Sequence, residues 1–127
     1  MKKLLTISLI GMFLFTACKK DPVRPSLTGK WNVENVITKE YQSSVLINTN
    51  TEPGDGYKYD FQTNGSLLIS SFLNATTIPY TIMANSTVQI DGDIFEIRNL
   101  TGSQVTLFIR QDYNPGEYDE LFINLKR

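Results

Sequence analysis

The sequence contains no histidine and a single cysteine, Cys18. The first absence removes the commonest general base at neutral pH and the commonest metal ligand. The second excludes an intrachain disulfide and a thiolate metal cluster. An excess of positive charge is missing as well, since Lys and Arg number 12 against 13 Asp and Glu. Without it the chain has no electrostatic reason to hold nucleic acid, whose phosphates are met by cationic surfaces. Its longest apolar stretch, Leu4 to Phe15, falls well short of the roughly 20 residues a membrane-spanning helix needs. There is no phosphate-cradling glycine loop and no Gly-x-Ser-x-Gly elbow, so a histidine-based triad is excluded and only a Ser–Lys dyad stays open. These gaps favour a non-enzymatic protein without cofactor or metal. The 127 residues suit one domain.

What is present begins with Met1-Lys2-Lys3, a basic start, followed by the apolar run broken only by Thr6, Ser8 and Gly11. That pattern predicts a helical export signal over residues 1–17. The run ends Phe15-Thr16-Ala17-Cys18, which resembles the lipobox of bacterial lipoproteins, with Phe15 in place of the usual leucine. The resemblance implies cleavage before Cys18 and a diacylglycerol on its thiol, a fatty-acyl anchor of the palmitate kind. The membrane would then be one partner of the chain. Residues 18–26 are polar and hold Pro22 and Pro25, the composition of a tether. Lys19 stands where inner-membrane lipoproteins carry aspartate, so the resemblance implies the outer membrane.

From Leu27 to Arg127 short two-residue alternations are separated by turn residues, the pattern of an all-β domain. Trp31 and Val33 share a face, and the phase slips near Asn35 before Val36 and Ile37, as at a bulge. Val45 and Ile47 suggest a second strand, and Thr51 to Gly56 a loop. Tyr57, Tyr59 and Phe61 line one face of the clearest alternation. Asn64-Gly65 and Asp91-Gly92 predict hairpin turns at positive φ. Ile78, Tyr80 and Ile82 mark a further strand, in which Pro79 calls for an edge or a bulge. Val88 and Ile90, Phe95 and Ile97, Val105 to Ile109, and Leu121 to Leu125 complete the set, with a turn at Thr101-Gly102 and a loop over Asp112 to Gly116. Eight or nine strands in a meander leave two bare edges unless the sheet closes. The expectation is an eight- to nine-stranded antiparallel up-and-down barrel, with a β-sandwich as the alternative.

Leu27-Thr28-Gly29-Lys30-Trp31, the Tyr59-to-Gly65 segment and the acidic hairpin before Ile94 to Ile97 resemble the short lipocalin-like domains of Bacteroidetes lipoproteins, relatives of the fatty-acid-binding proteins. The likeness spans roughly Leu27 to Arg127, but the chain lacks the usual Thr-Asp-Tyr motif of lipocalins. It implies that Trp31 closes one end of the barrel with an arginine across its ring, either Arg110 or Arg127. A small hydrophobic ligand would then touch Trp31, Tyr57, Tyr59, Phe61, Tyr80 and Phe95. The competing reading is that these rings fill the interior, since an eight-stranded barrel is about wide enough for side chains or for one small ligand. Asp91 and Asp93 flank a turn glycine and are read as turn residues. Glu117, Asp119 and Glu120 lack the spacing of a calcium loop. The three Asn-x-Thr sequons are read as chance.

Overall fold

The computed structural model describes residues 25–127; the expected signal, Cys18 and most of the tether lie outside the described residues. Nine strands follow in order: β1 (Gly29–Gln42), β2 (Val45–Pro53), β3 (Lys58–Phe61), β4 (Ser66–Ser70), β5 (Ala75–Met83), β6 (Thr87–Ile90), β7 (Asp93–Arg98), β8 (Gln104–Asn114) and β9 (Glu117–Lys126). All pairings are antiparallel, and β1 pairs with β9 to close the sheet. The result is an eight-stranded barrel with one additional strand, and the sandwich is set aside. This architecture is compatible with a lipocalin-like fold.

The additional strand arises from how β1 shares its edge. Gly29–Asn32 pair with β3, and Asn35–Gln42 pair with β2. Thus β2 and β3 run as two halves of one long strand, with Gly54–Tyr57 bulging out between them. The expected slip in β1 is real: its register against β9 shifts between Val33 and Asn35, placing Glu34 at the bulge. On its other side β3 meets β4, but β4 ends at Ser70 and never reaches β2. The outer edge of β2 is therefore bare, and all nine of its residues are exposed. Above the barrel proper, β2, β1, β9 and the far half of β8 form a four-stranded tongue. Its two hairpin tips touch where Ser44 N–H donates to the Gly116 carbonyl at 2.9 Å.

Inward positions repeat every second residue, as the pleat requires. Trp31, Phe61, Leu67, Val88, Val105, Leu107 and Leu125 are almost wholly buried, with Tyr80, Ile90, Phe95 and Ile123 close behind. The rings meet edge to face, Phe61 and Tyr80 at 5.1 Å and Tyr59 and Phe61 at 6.4 Å between centroids. Such pairs add about 0.5–1.5 kcal/mol beyond area burial. The Tyr80 hydroxyl donates to the Gln62 carbonyl, so its polar end is satisfied.

Several local expectations are corrected. Thr51 to Pro53 belong to β2, not to a loop, because the ladder to β1 continues to Pro53 at the strand end, where no further N–H is needed. Likewise β8 runs on to Asn114 and turns only at Pro115-Gly116, with Gly116 at φ +77°. Asp91 and Gly92 both take positive φ as expected, but at the other turn only Gly65 does. There Gly65 N–H donates to the Gln62 carbonyl and Gln62 N–H to Ser66, a four-residue turn in which Asn64 Oδ1 instead accepts from Ser66 N–H. Finally, β5 is flanked on both sides and is not an edge. Pro79 is tolerated because β5 changes partner there, pairing through Pro79 with β4 and from Tyr80 onward with β6.

Candidate functional site

The two ends of the barrel differ. At the end where β1 begins, Trp31 is 1% exposed and its indole N–H donates to the Leu27 carbonyl at 2.8 Å. The Arg127 guanidinium lies 3.9 Å from the indole ring. It also donates to three carbonyls, of Gly102, Thr28 and Ser26, at 3.0–3.1 Å. One planar fork thus ties the incoming chain and the β7–β8 loop beneath the tryptophan. Of the two arginines left open by the sequence, Arg127 takes this place; Arg110 instead stacks 3.6 Å over Tyr118 on the outer wall. This floor is closed.

The opposite end opens where Gly54–Tyr57 bulge between β2 and β3. A cleft of about 320 Å³ lies there, lined by Val33, Val36, Tyr59 and Ile69 below and by Glu52, Asp55 and Tyr57 at the rim. The bulge is stitched to β1 by two backbone bonds, Gly54 N–H to the Glu34 carbonyl at 3.1 Å and Val33 N–H to the Tyr57 carbonyl at 2.8 Å, and is closed on itself by Tyr57 N–H to the Gly54 carbonyl at 2.9 Å. Gly54 is required by the close approach, since a Cβ there would fall 1.7 Å from the Val33 carbonyl oxygen. Burial raises the Tyr59 phenol above the usual tyrosine pKa, with the neighbouring Tyr57 adding to it. It therefore stays neutral at physiological pH.

The six ring residues expected at a ligand separate into two groups. Trp31, Phe61, Tyr80 and Phe95 are buried in the packed interior. Tyr59 and Tyr57 line the cleft. Tyr57 was expected on the inner stripe of a strand, but it precedes β3 and is 47% exposed. The bulge breaks the alternation just before β3 begins. Glu52, Gly54 and Asp55 also line the cleft, and the only sequence signal for them is the irregularity marked by Pro53-Gly54-Asp55-Gly56.

The register also sorts charge by face. Glu52 pairs with inward-facing Val36, and Glu40 and Asp119 lie opposite one another on the same face as Val36 and Ile123. Lys30, Lys39, Lys58, Arg98, Arg110 and Lys126 all fall on the outward parity. There they serve the outer wall: Arg98 stacks 3.6 Å over Phe108, Lys39 lies 5.1 Å over Phe122, and Lys126 is 3.9 Å from Glu34. At the tip of the tongue the Tyr113 hydroxyl donates to Asp119 at 2.9 Å, a bond that raises its pKa. Asp91 and Asp93 sit at the turn as expected. Among the described residues no three acidic, cysteine or histidine side chains converge as a metal site.

Two further surfaces are apolar. Phe72 and Leu73, in the loop after β4, are 96% and 83% exposed. Val45, Leu46 and Ile47 are exposed at the start of the bare strand β2. Comparison with known proteins found no matching family model, no similar curated protein and no similar solved structure.

Proposed function

We propose that this chain is a lipid-anchored envelope lipoprotein, retained in the outer membrane through Cys18, whose barrel holds a small amphipathic ligand at its mouth without catalysing a reaction. The observation that carries the ligand reading is the cleft of about 320 Å³ beside a packed interior. Small-molecule sites begin at about 300 Å³ and combine an apolar lining with a few polar groups. Val33, Val36, Tyr59 and Ile69 supply the first, and the rim carboxylates with Tyr57 the second. The anchor reading rests on the lipobox-like Phe15-Thr16-Ala17-Cys18.

The two halves of the proposal fit one another. The described chain enters at the floor, where Ser26 and Thr28 are held by Arg127. A tether over residues 18–26 spans at most roughly 30 Å. A lipid on Cys18 would therefore hold the floor toward the membrane and leave the mouth facing away from it, open to solutes. A rival reading, supported by exposed Phe72 and Leu73, makes the same end a contact surface for another envelope protein.

Native mass spectrometry of the protein isolated from its own cells separates them. A co-purifying compound of low mass, displaced when the cleft is altered by Val36→Trp, is the expected result. Ligand-free protein from every preparation, together with a stable protein complex lost on Phe72→Ser/Leu73→Ser, would favour the rival. For the anchor, Cys18→Ser should abolish lipid labelling and release the protein from membranes; unchanged labelling would refute it.

A further inference from the structure

Resting on the reading of the cleft as a ligand site, we infer that its ligand is an organic cation with an apolar body, not a fatty acid or other carboxylate. The lining supplies the two things such an ion needs. Val33, Val36, Ile69 and the two tyrosine rings accept the apolar body, while Glu52 and Asp55 stand at the rim. Neither carboxylate is within 4.0 Å of a lysine or arginine among the described residues. Among the described residues the Glu52 side chain accepts only from the Asn50 amide, at 3.2 Å. An aromatic ring beside an unpaired carboxylate attracts a cation twice, through the quadrupole of the ring face and through the opposite charge.

The bias reaches beyond those two residues. On the mouth side Glu40 and Asp119 share the inward parity with Val36, and every strand lysine and arginine lies on the outward one. Among the described residues the one lysine or arginine outside a strand, Arg127, is committed to the floor under Trp31. A carboxylate entering this cleft would face acidic groups with no positive partner among the described residues, a desolvation cost that nothing in that lining offsets. A protein built to hold a fatty acid by its head would need a cation inside the mouth. Among the described residues none lines the cleft.

A matched trio of soluble probes tests the inference: phenethyltrimethylammonium, 3-phenylpropanoate and 3-phenylpropanol, each titrated calorimetrically into the full-length protein in a neutral detergent. The ammonium ion should bind about tenfold more tightly than the alcohol and the carboxylate least of all. Its advantage should shrink with added salt. The exposed pair Glu52→Gln/Asp55→Asn should bring the three probes to within about twofold of one another, the circular dichroism spectrum being unchanged. Equal binding, or tighter binding of the carboxylate, would overturn the cation assignment while leaving the cleft as a ligand site. Failure of all three probes would overturn the cleft reading itself.

Discussion

The floor and the mouth of this barrel are built from the same strands, yet they solve opposite problems. At the floor every polar atom of the large side chains is occupied: the Trp31 N–H by Leu27, the Arg127 fork by three carbonyls. Contacts there close a ring, so removing one leaves a void or an unpaired donor. At the mouth the sheet is deliberately imperfect, in that β4 stops short of β2 and a four-residue bulge interrupts the strand beside β1. The lesson is that the opening comes from unequal strand lengths rather than from small side chains in the core.

That contrast can be broken at its strongest point first. Trp31→Ala should cost about 3–5 kcal/mol, because it leaves an indole-sized hole beneath a packed core. Tyr57→Ala at the half-exposed rim should cost under about 1 kcal/mol. Chemical denaturation of both variants measures the gap, and a Trp31→Ala loss below about 1 kcal/mol would mean the floor is not what holds the barrel together. Next in size is Gly54→Ala. Its new methyl cannot coexist with the Val33 carbonyl, so the bulge must move, at about 1–3 kcal/mol. This is the one mouth substitution expected to cost as much as a core change, and amide shifts confined to residues 33–36 and 52–59 would locate the damage.

How much of this was legible beforehand depended on which signal each residue emits. The alternation around Trp31, Tyr59, Phe61, Phe95 and Leu107 announced the inward face, because a half-buried strand must repeat every two residues. The bulge near Asn35 could be read from its phase slip. By contrast, the β1–β2 turn is made by Ser43 and Ser44, both at positive φ without a glycine to advertise it. The length of β2 was hidden too, since Asn48-Thr49-Asn50-Thr51 carries no apolar face and faces solvent on both sides. For the site, the sequence offered six rings. It could not tell the two that line the cleft from the four that fill the core, because that depends on where β4 stops. The acids Glu52 and Asp55 carry no signal that separates them from ordinary loop residues: the register sets Glu52 opposite Val36, and the bulge brings Asp55 to the cleft that Tyr59 also lines.

Two smaller effects sharpen the comparison. Arg127→Met keeps an apolar stem beneath Trp31 but removes the fork, and should cost about 1–2 kcal/mol in thermal or chemical denaturation. Arg110→Met, which removes a guanidinium stacked on half-buried Tyr118 and paired with exposed Asp112, should cost less than half as much. Smallest is a pH effect at the cleft. Because burial holds the Tyr59 pKa above its ordinary value near 10, the folded state resists forming the phenolate. The stability contributed by the neutral phenol is present below pH 10 and is lost as pH rises through the folded-state pKa. Tyr59→Phe cannot ionise, so its stability relative to wild type should improve between neutral pH and pH 11; a constant difference would place that phenol in open water.

The most direct test of the division between a solid floor and a receptive mouth is a chemical-shift map of the isotopically labelled protein titrated with phenethyltrimethylammonium. Saturable changes are expected at Val36, Gly54, Tyr57, Tyr59 and Ile69, with the Trp31 indole N–H and the amides of Thr28 and Gly102 unmoved. Saturable changes centred on Trp31 and Phe61 instead, with the bulge silent, would contradict that division.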